Sequence, residues 1–428
     1  MDFYRVKGEK PLYGTIKTEG AKNAVLPEIA AAMLTEEPVK LINVPYLSDV
    51  RNMGAICRLA GGLCDYNKGS LLLDGQYFTN KTIPYESACK LRTSFLFAGP
   101  MLARFGKMKI SLPGGCNIGT RPIDLHLKGF EKMGACINFD SGFVEAYAPS
   151  GLNGAEIYLD FPSVGATENI MMAACLAKGR TLIFNCAQEP EVRDLAALLC
   201  KMGAVVKMPD SECILIEGQS ELKGTVHSVL PDRIEAGTYM LAVAATGGNV
   251  EITGIEPFLL QPICAKLRES GVKISEGINS VKVESDRKAH SVDVKTLPYP
   301  GFPTDLQAQI TAFLSTTTGT GVVTETVFES RFNHIGELCR MGAGIRLEGR
   351  SAIIEGCNHL TGASVTAKDL RAGAALVIGA LCARGETKIF GLNHIDRGYH
   401  NLSEKLEKLG ADIERCQEPS ESVGTLLC

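Results

Sequence analysis

The chain has 428 residues, 45% of them hydrophobic and 21% charged, with a formal net charge of −4. That length exceeds one ordinary core and predicts two large domains, while the composition excludes a mostly disordered chain. The charge excludes a nucleic-acid binder driven by bulk basicity, so any anion site must be a local cluster of cations.

From the N-terminus, MDFYRVKGEK lacks the apolar run of a signal peptide. The first recurring pattern opens at GAKNAVLP, where Lys22 starts a helix rich in small and aliphatic residues, and closes at LAGGLCD, where a second helix stops at Gly61. KLRTSFLF at Arg92 with EKMGACI at Gly134, and SVGATENI at Gly165 with CKMGAVV at Gly203, repeat the pair. PDRIEAGT at Arg233 with RESGVKI at Gly271, PTDLQAQI at Asp305 with CRMGAGI at Gly342, and DLRAGAAL at Arg371 with EKLGADI at Gly410 complete six copies. The period is about seventy residues, a structural unit repeated along the chain. Each glycine suits the left-handed position just past a helix, and strand-like runs such as KGRTLIFN, GGNVEITG, GTGVVTET and RGETKIFG follow the first helix of a unit. Six α/β units are therefore expected, three on either side of Leu230. The apolar run 372–383 near the end is too short to span a bilayer, and the segment after Arg415 extends past the last repeat with disorder as its default.

Chemistry concentrates where the repeats begin. If equivalent helix starts face one space, their dipoles favour an anion, and Lys22, Arg92, Arg121, Arg331, Arg371 and Arg397 would reinforce that preference. Taken singly, each cation reads equally well as a surface ion pair. Asp305 is open between a helix cap and a charge that balances these cations. The loop SLPGGCNIGTRP places Cys116 among glycines and near Arg121, a setting for a reactive thiol, although most cytosolic cysteines are small buried hydrophobes. Fifteen cysteines without CxxC pairs fit free thiols in a reducing compartment, and no histidine pattern supports a metal. A cytoplasmic protein is expected.

These residues carry a resemblance. GAKNA around Lys22, PGGCNIGTRPIDLH, SVGAT at 163–167, EPEV at Glu189, LPDRIEAGT, FPTDLQAQ, TETVFESRF, DLRA at Arg371 and HIDRGY around Arg397 resemble the enolpyruvyl transferase family over nearly the full length, most closely the branch acting on UDP-N-acetylglucosamine and more distantly the shikimate branch. The resemblance implies a two-domain inverse α/β barrel of six repeated βαβαββ-like units, three per domain. Residues 22–229 would form one domain, and residues 1–21 with 230–428 the other, with a tail after about 415 and the active site between the domains. It implies transfer of the enolpyruvyl group of phosphoenolpyruvate to the sugar hydroxyl with release of phosphate, opening peptidoglycan synthesis, without metal or organic cofactor and without nucleic-acid or membrane partners.

The same resemblance assigns roles. Lys22, Asn23, Arg92, Arg121, Arg331, Arg371 and Arg397 would hold phosphoenolpyruvate, with Lys22 and Arg397 also counted as catalytic. Cys116 would protonate the methylene carbon and react with epoxide phosphonates of the fosfomycin type, and Asp305 would take the hydroxyl proton. Asn23, Arg92, Arg121, Pro122, Ile123, Asp124, Leu125, His126, Ser163, Val164, Gly165, Glu189, Asp305 and Val327 would line the nucleotide-sugar site. One departure stands out: Phe161 occupies a position where some family members carry a lysine, which implies altered contacts to the nucleotide phosphates. Rival readings are a non-catalytic duplicate, disfavoured by intact reactive positions, a shikimate-type acceptor, and a cysteine hydrolase using His126 or His394 as base.

Overall fold

The computed structural model describes residues 2–112, 123–209, 212–357 and 359–417. Six central helices follow the expected starts: α1 (Lys22–Ala31), α2 (Ala98–Phe105), α3 (Val164–Ala174), α4 (Arg233–Thr246), α5 (Gln307–Leu314) and α6 (Leu370–Cys382). Short 3₁₀ turns at Arg92–Phe97 and Thr304–Leu306 lead into α2 and α5. Every residue of α4, α5 and α6 is buried. Helices apolar on all sides belong in a core, and their many alanines let backbones approach closely.

Each repeat then builds one small sheet. After α3, strand Arg180–Phe184 pairs antiparallel with Cys213–Glu217, which pairs with Val205–Lys207, and on its other edge runs parallel to Glu156–Tyr158. The same order recurs after α5 with Thr320–Thr324 at its centre and after α4 with Gly248–Thr253. One face of each sheet is buried, so the sequence alternates: Val39–Ile42 reads buried, exposed, buried, exposed. Between sheet strands lies an outer helix with one apolar face, as in Pro190–Lys201.

All six outer helices end alike. Gly61, Gly134, Gly203, Gly271, Gly342 and Gly410 have φ between 90° and 101°. At the first of these, Gly61 N–H donates to the Arg58 carbonyl and Gly62 N–H to the Cys57 carbonyl, and the other five reproduce both bonds. This is the Schellman arrangement, in which a left-handed residue satisfies carbonyls that the helix end would otherwise leave orphaned.

The chain divides into two compact units. The inner unit comprises Glu19–Asp232 with Pro298–Pro300; the terminal unit comprises Met1–Thr18, Arg233–Leu297 and Gly301–Cys428. Two strands are exchanged at the crossings. Leu12–Lys17 precedes α1 in sequence yet lies parallel to Gly248–Thr253 of the fourth repeat, whereas Val226–Ser228 precedes α4 yet lies parallel to Val39–Ile42 of the first. Asp2–Lys7 lies in the sixth sheet, antiparallel to both Glu386–Phe390 and Asp412–Gln417. Among the described residues no helix is long and apolar enough to cross a membrane, and every cysteine is a free thiol.

Candidate active site

In the inner unit, α1 begins at Lys22 behind Ala21, which offers no side-chain cap. A cation in the first turn is unfavourable to the helix dipole, and two carboxylates compensate. The Lys22 backbone N–H donates to Asp232 Oδ2 at 3.3 Å, and its Nζ donates to Asp49 Oδ2 at 3.3 Å. Asp49, 1% exposed, opens the outer helix Ser48–Leu59. Asn23 follows Lys22 at the same helix start.

The second and third repeats meet through one buried amide. Asn169 on α3 accepts a hydrogen bond from Gly99 N–H (2.7 Å) and donates through Nδ2 to the Phe95 carbonyl (2.9 Å) and to His126 Nδ1 (3.1 Å). Because the amide nitrogen can only donate, His126 Nδ1 is unprotonated and its Nε2 carries the hydrogen. Removal from water, and then the charge of Arg92, push the His126 pKa down to about 3. His126 also meets the Phe95 ring edge-on at 5.3 Å. The imidazole approaches the start of α3 so closely that a Cβ on Gly165 would lie 3.3 Å from its Cε1. Ser163 caps α3, accepting from Ala166 N–H at 3.4 Å. Val164 and Gly165 follow it, while Ile123, Asp124 and Leu125 lead the outer helix Asp124–Lys132. Phe161, 42% exposed, lies two residues before Ser163. Glu189 sits at the start of Pro190–Lys201 and accepts from Tyr299 N–H at 3.4 Å. Burial, then the charges of Glu191, Glu189 and Glu28, raise the pKa of Glu168 well above the carboxylate range.

The terminal unit supplies a second group. Both oxygens of Asp305 are held by guanidinium groups: Arg331 Nη2 donates to Oδ1 at 2.5 Å and Arg371 Nη2 to Oδ2 at 2.8 Å. The arginine side chains are 6% and 5% exposed and the aspartate 23%. Asp305 lies inside the 3₁₀ turn, whose preceding residue Pro303 provides no side-chain cap. The carboxylate is thus not a helix cap; that role falls to Asp369, which accepts from the Arg371 and Ala372 backbone N–H groups at the start of α6. Arg331 also donates to Thr304 Oγ1 at 2.9 Å and lies over the Phe328 ring. Val327 is fixed through its N–H to Glu325 Oε1 at 2.8 Å, and the same carboxylate accepts from Thr296 and Thr304 hydroxyls. Arg397 is half-buried beyond the short helix Leu392–Ile395. Removal from water, then the Arg397 charge, lowers the His394 pKa.

Lys22, Asn23, Arg92, Ile123, Asp124, Leu125, His126, Ser163, Val164, Gly165 and Glu189 therefore belong to the inner unit, and Asp305, Val327, Arg331, Arg371 and Arg397 to the terminal one. Cys116, Arg121 and Pro122 lie outside the described residues. The sequence reading missed Asp49, although a signal existed: it follows the strand Val39–Ile42 by seven residues, the offset at which Arg331 follows Thr320–Thr324 and Arg397 follows Glu386–Phe390. Asn169 was also missed, and for it no spacing offers a signal.

These features agree with comparison to known proteins. The profile of the family described as EPSP synthase (3-phosphoshikimate 1-carboxyvinyltransferase) matches residues 6–406. UDP-N-acetylglucosamine 1-carboxyvinyltransferase 1 of Caldanaerobacter subterraneus subsp. tengcongensis is 54% identical over 410 residues, 96% of this chain and 98% of that protein. UDP-N-acetylglucosamine 1-carboxyvinyltransferase 2 of Carboxydothermus hydrogenoformans is 53% identical over 420 residues, covering 98% and 100%. Among solved structures, the enolpyruvyl transferase NikO from Streptomyces tendae aligns with a TM-score of 0.88 at 23% identity, covering 98% of this chain and 99% of that one. EPSP synthase from Acinetobacter baumannii aligns at 0.76 and 19%, covering 97% and 100%. The six-repeat α/β architecture is thus shared with enolpyruvyl transferases, and on the extent of the sequence match the chain belongs to the EPSP synthase family of carboxyvinyltransferases.

Proposed function

We infer that this chain transfers the enolpyruvyl group of phosphoenolpyruvate to a sugar hydroxyl of UDP-N-acetylglucosamine, releases inorganic phosphate, and so serves peptidoglycan synthesis. The observation that carries this reading is identity above half, over nearly the whole length, to relatives named for that activity. The chemistry requires a proton on the methylene carbon, removal of the hydroxyl proton, and a bond from the sugar oxygen to the central carbon; the tetrahedral ketal then loses a methyl proton and phosphate. We assign delivery of the methylene proton to Cys116 and acceptance of the hydroxyl proton to Asp305, whose carboxylate the two arginines orient. Lys22, Arg121 and Arg397 would bind the phosphate and carboxylate of phosphoenolpyruvate, with Asn23, Arg92, Arg331 and Arg371 beside them. Asn23, Arg92, Arg121, Pro122, Ile123, Asp124, Leu125, His126, Ser163, Val164, Gly165, Glu189, Asp305 and Val327 would receive the nucleotide sugar. We place the enzyme in the cytoplasm, in keeping with the free cysteines among the described residues.

The depressed His126 pKa and its Asn169 partner disfavour the cysteine-hydrolase reading, which needs a basic imidazole oriented by an acceptor. The family description keeps a shikimate acceptor as the rival. Phosphate release from phosphoenolpyruvate, measured with UDP-N-acetylglucosamine and separately with shikimate 3-phosphate, decides between them. Release only with the nucleotide sugar is expected; release only with shikimate 3-phosphate would overturn the acceptor assignment, and release with neither would overturn the enzyme reading.

A further inference from the structure

The Tyr399 hydroxyl is the centre of a buried polar hub in the terminal unit. Arg371 Nη1 approaches it at 3.3 Å, Gln309 Nε2 at 3.2 Å and Thr238 Oγ1 at 2.8 Å. Tyr399 is 2% exposed, Thr238 4%, Gln309 0% and Arg371 4%. Gln309 Nε2 also lies 3.3 Å from Thr238 Oγ1, so its two hydrogens are shared among Tyr399, Thr238 and the Asp305 carbonyl. Arginine and the amide nitrogen only donate, so the tyrosine oxygen accepts from both and gives its own hydrogen to Thr238 Oγ1. Thr238 in turn donates to the Ile234 carbonyl at 2.8 Å. The Gln309 amide orientation is fixed because Nε2 also donates to the Asp305 carbonyl at 3.0 Å, where an amide oxygen would repel.

The hydroxyl therefore reaches Asp305 by two routes. Through Arg371, whose other terminal nitrogen donates to Oδ2, it fixes the carboxylate; through Gln309 it fixes the main chain of the same residue. Thr238, Gln309 and Arg371 come from α4, α5 and α6, so the hub ties together one helix from each repeat of this unit. We propose that Tyr399, with Thr238 and Gln309 behind it, is a positioning residue that holds Arg371 and Asp305 in the geometry needed to receive the acceptor's hydroxyl proton. The proposal rests on the assignment of Asp305 as that acceptor of the proton.

Removing the hydroxyl while keeping the ring tests it. Tyr399→Phe removes one acceptor from the buried Arg371 guanidinium and from Gln309, which keeps Thr238 Oγ1 and the Asp305 carbonyl, so the guanidinium loses one of the contacts that orient it toward the carboxylate. In the full-length enzyme, kcat is expected to fall about tenfold or more, with KM for the nucleotide sugar changed less than about twofold, in line with lost alignment of a proton-transfer group. The acid limb of the kcat/KM profile is expected to move to higher pH, because the carboxylate loses a fixed cation. Thr238→Val should move the same limb the same way, and Thr238→Ser, which keeps the hydroxyl acceptor, should restore it. A structural role alone would lower the melting temperature without moving the limb. An unmoved pH profile in Tyr399→Phe, or in Thr238→Val should the tyrosine variant not fold, overturns the proposal. Asp305→Ala, measured beside them, separates the two claims: wild-type turnover in that variant overturns the Asp305 assignment itself, whereas its inactivity with unmoved hub variants overturns only the hub.

Discussion

Glu28 is fully buried on α1, and neither of its carboxylate oxygens has a hydrogen-bond partner among the described residues. His227 Nε2 lies 3.6 Å away and also meets Asp194 Oδ1 at 3.0 Å. The three side chains have a spacing that could hold a metal ion. Lys201 Nζ, however, meets His227 Nδ1 at 3.1 Å. Burial lowers the His227 pKa, but the Asp194 and Glu28 carboxylates outweigh it and raise it to about 9, so a proton competes with any metal for the ring nitrogen that faces the two carboxylates. A proton is the better occupant: burial, opposed by His227 and supported by Asp194, raises the Glu28 pKa to about 8. The folded protein then retains a proton that the unfolded chain releases from about pH 4.5 upward, so stability present at low pH is lost as pH rises toward 8. Urea unfolding of Glu28→Gln across this window should show a shallower decline than wild type, by up to about 1.4 kcal/mol per pH unit; identical slopes would contradict it. Residues such as Lys22, Asp305 and Arg371 were legible because they recur at the same point of a repeat. Asn169, Tyr399 and the Glu28 group were not, because each acts through partners dozens to hundreds of residues away whose proximity only the packed helices create.

The element scale repeats the same turn six times, which permits a controlled comparison. Gly203 has φ +101° and open space where a Cβ would go, whereas at Gly61, with φ +96°, a Cβ would lie 2.2 Å from the Tyr77 carbonyl oxygen. Gly203→Ala carries only the backbone cost of a left-handed L-residue, about 1–2 kcal/mol. Gly61→Ala adds a clash with main chain, and its measured loss in chemical unfolding should be clearly larger; equal losses would mean that the turn, not its surroundings, sets the cost. These glycines, the helix starts and the strand-like runs were readable because they are local and periodic. The exchange of Leu12–Lys17 and Val226–Ser228 was not, since each strand precedes its own repeat's helix yet pairs in another repeat. Nor could the sequence show that Asp2–Lys7 pairs within the sixth sheet, more than 370 residues from its partners.

For the whole molecule, duplication provides a repeated frame and the function depends on where its copies differ. Helix starts that carry Lys22, Ser163, Asp305 and Arg371 share one architectural position but hold a cation, a cap, a carboxylate and a guanidinium. In the proposed reaction Lys22 and Arg397 would supply cations, Asp305 the carboxylate clamped by Arg331 and Arg371, and Cys116 the proton. The central claim is addition followed by elimination, with a transient methyl group on the former phosphoenolpyruvate carbon. Running the reaction in heavy water and weighing the product by mass spectrometry tests it directly, because a thiol exchanges its proton with solvent. A deuteron delivered to the methylene and loss of one of the three methyl hydrogens should leave deuterium in the vinyl group of the product. A nucleotide-sugar product with an unlabelled vinyl group would contradict protonation of that carbon, and with it the roles given to Cys116 and Asp305.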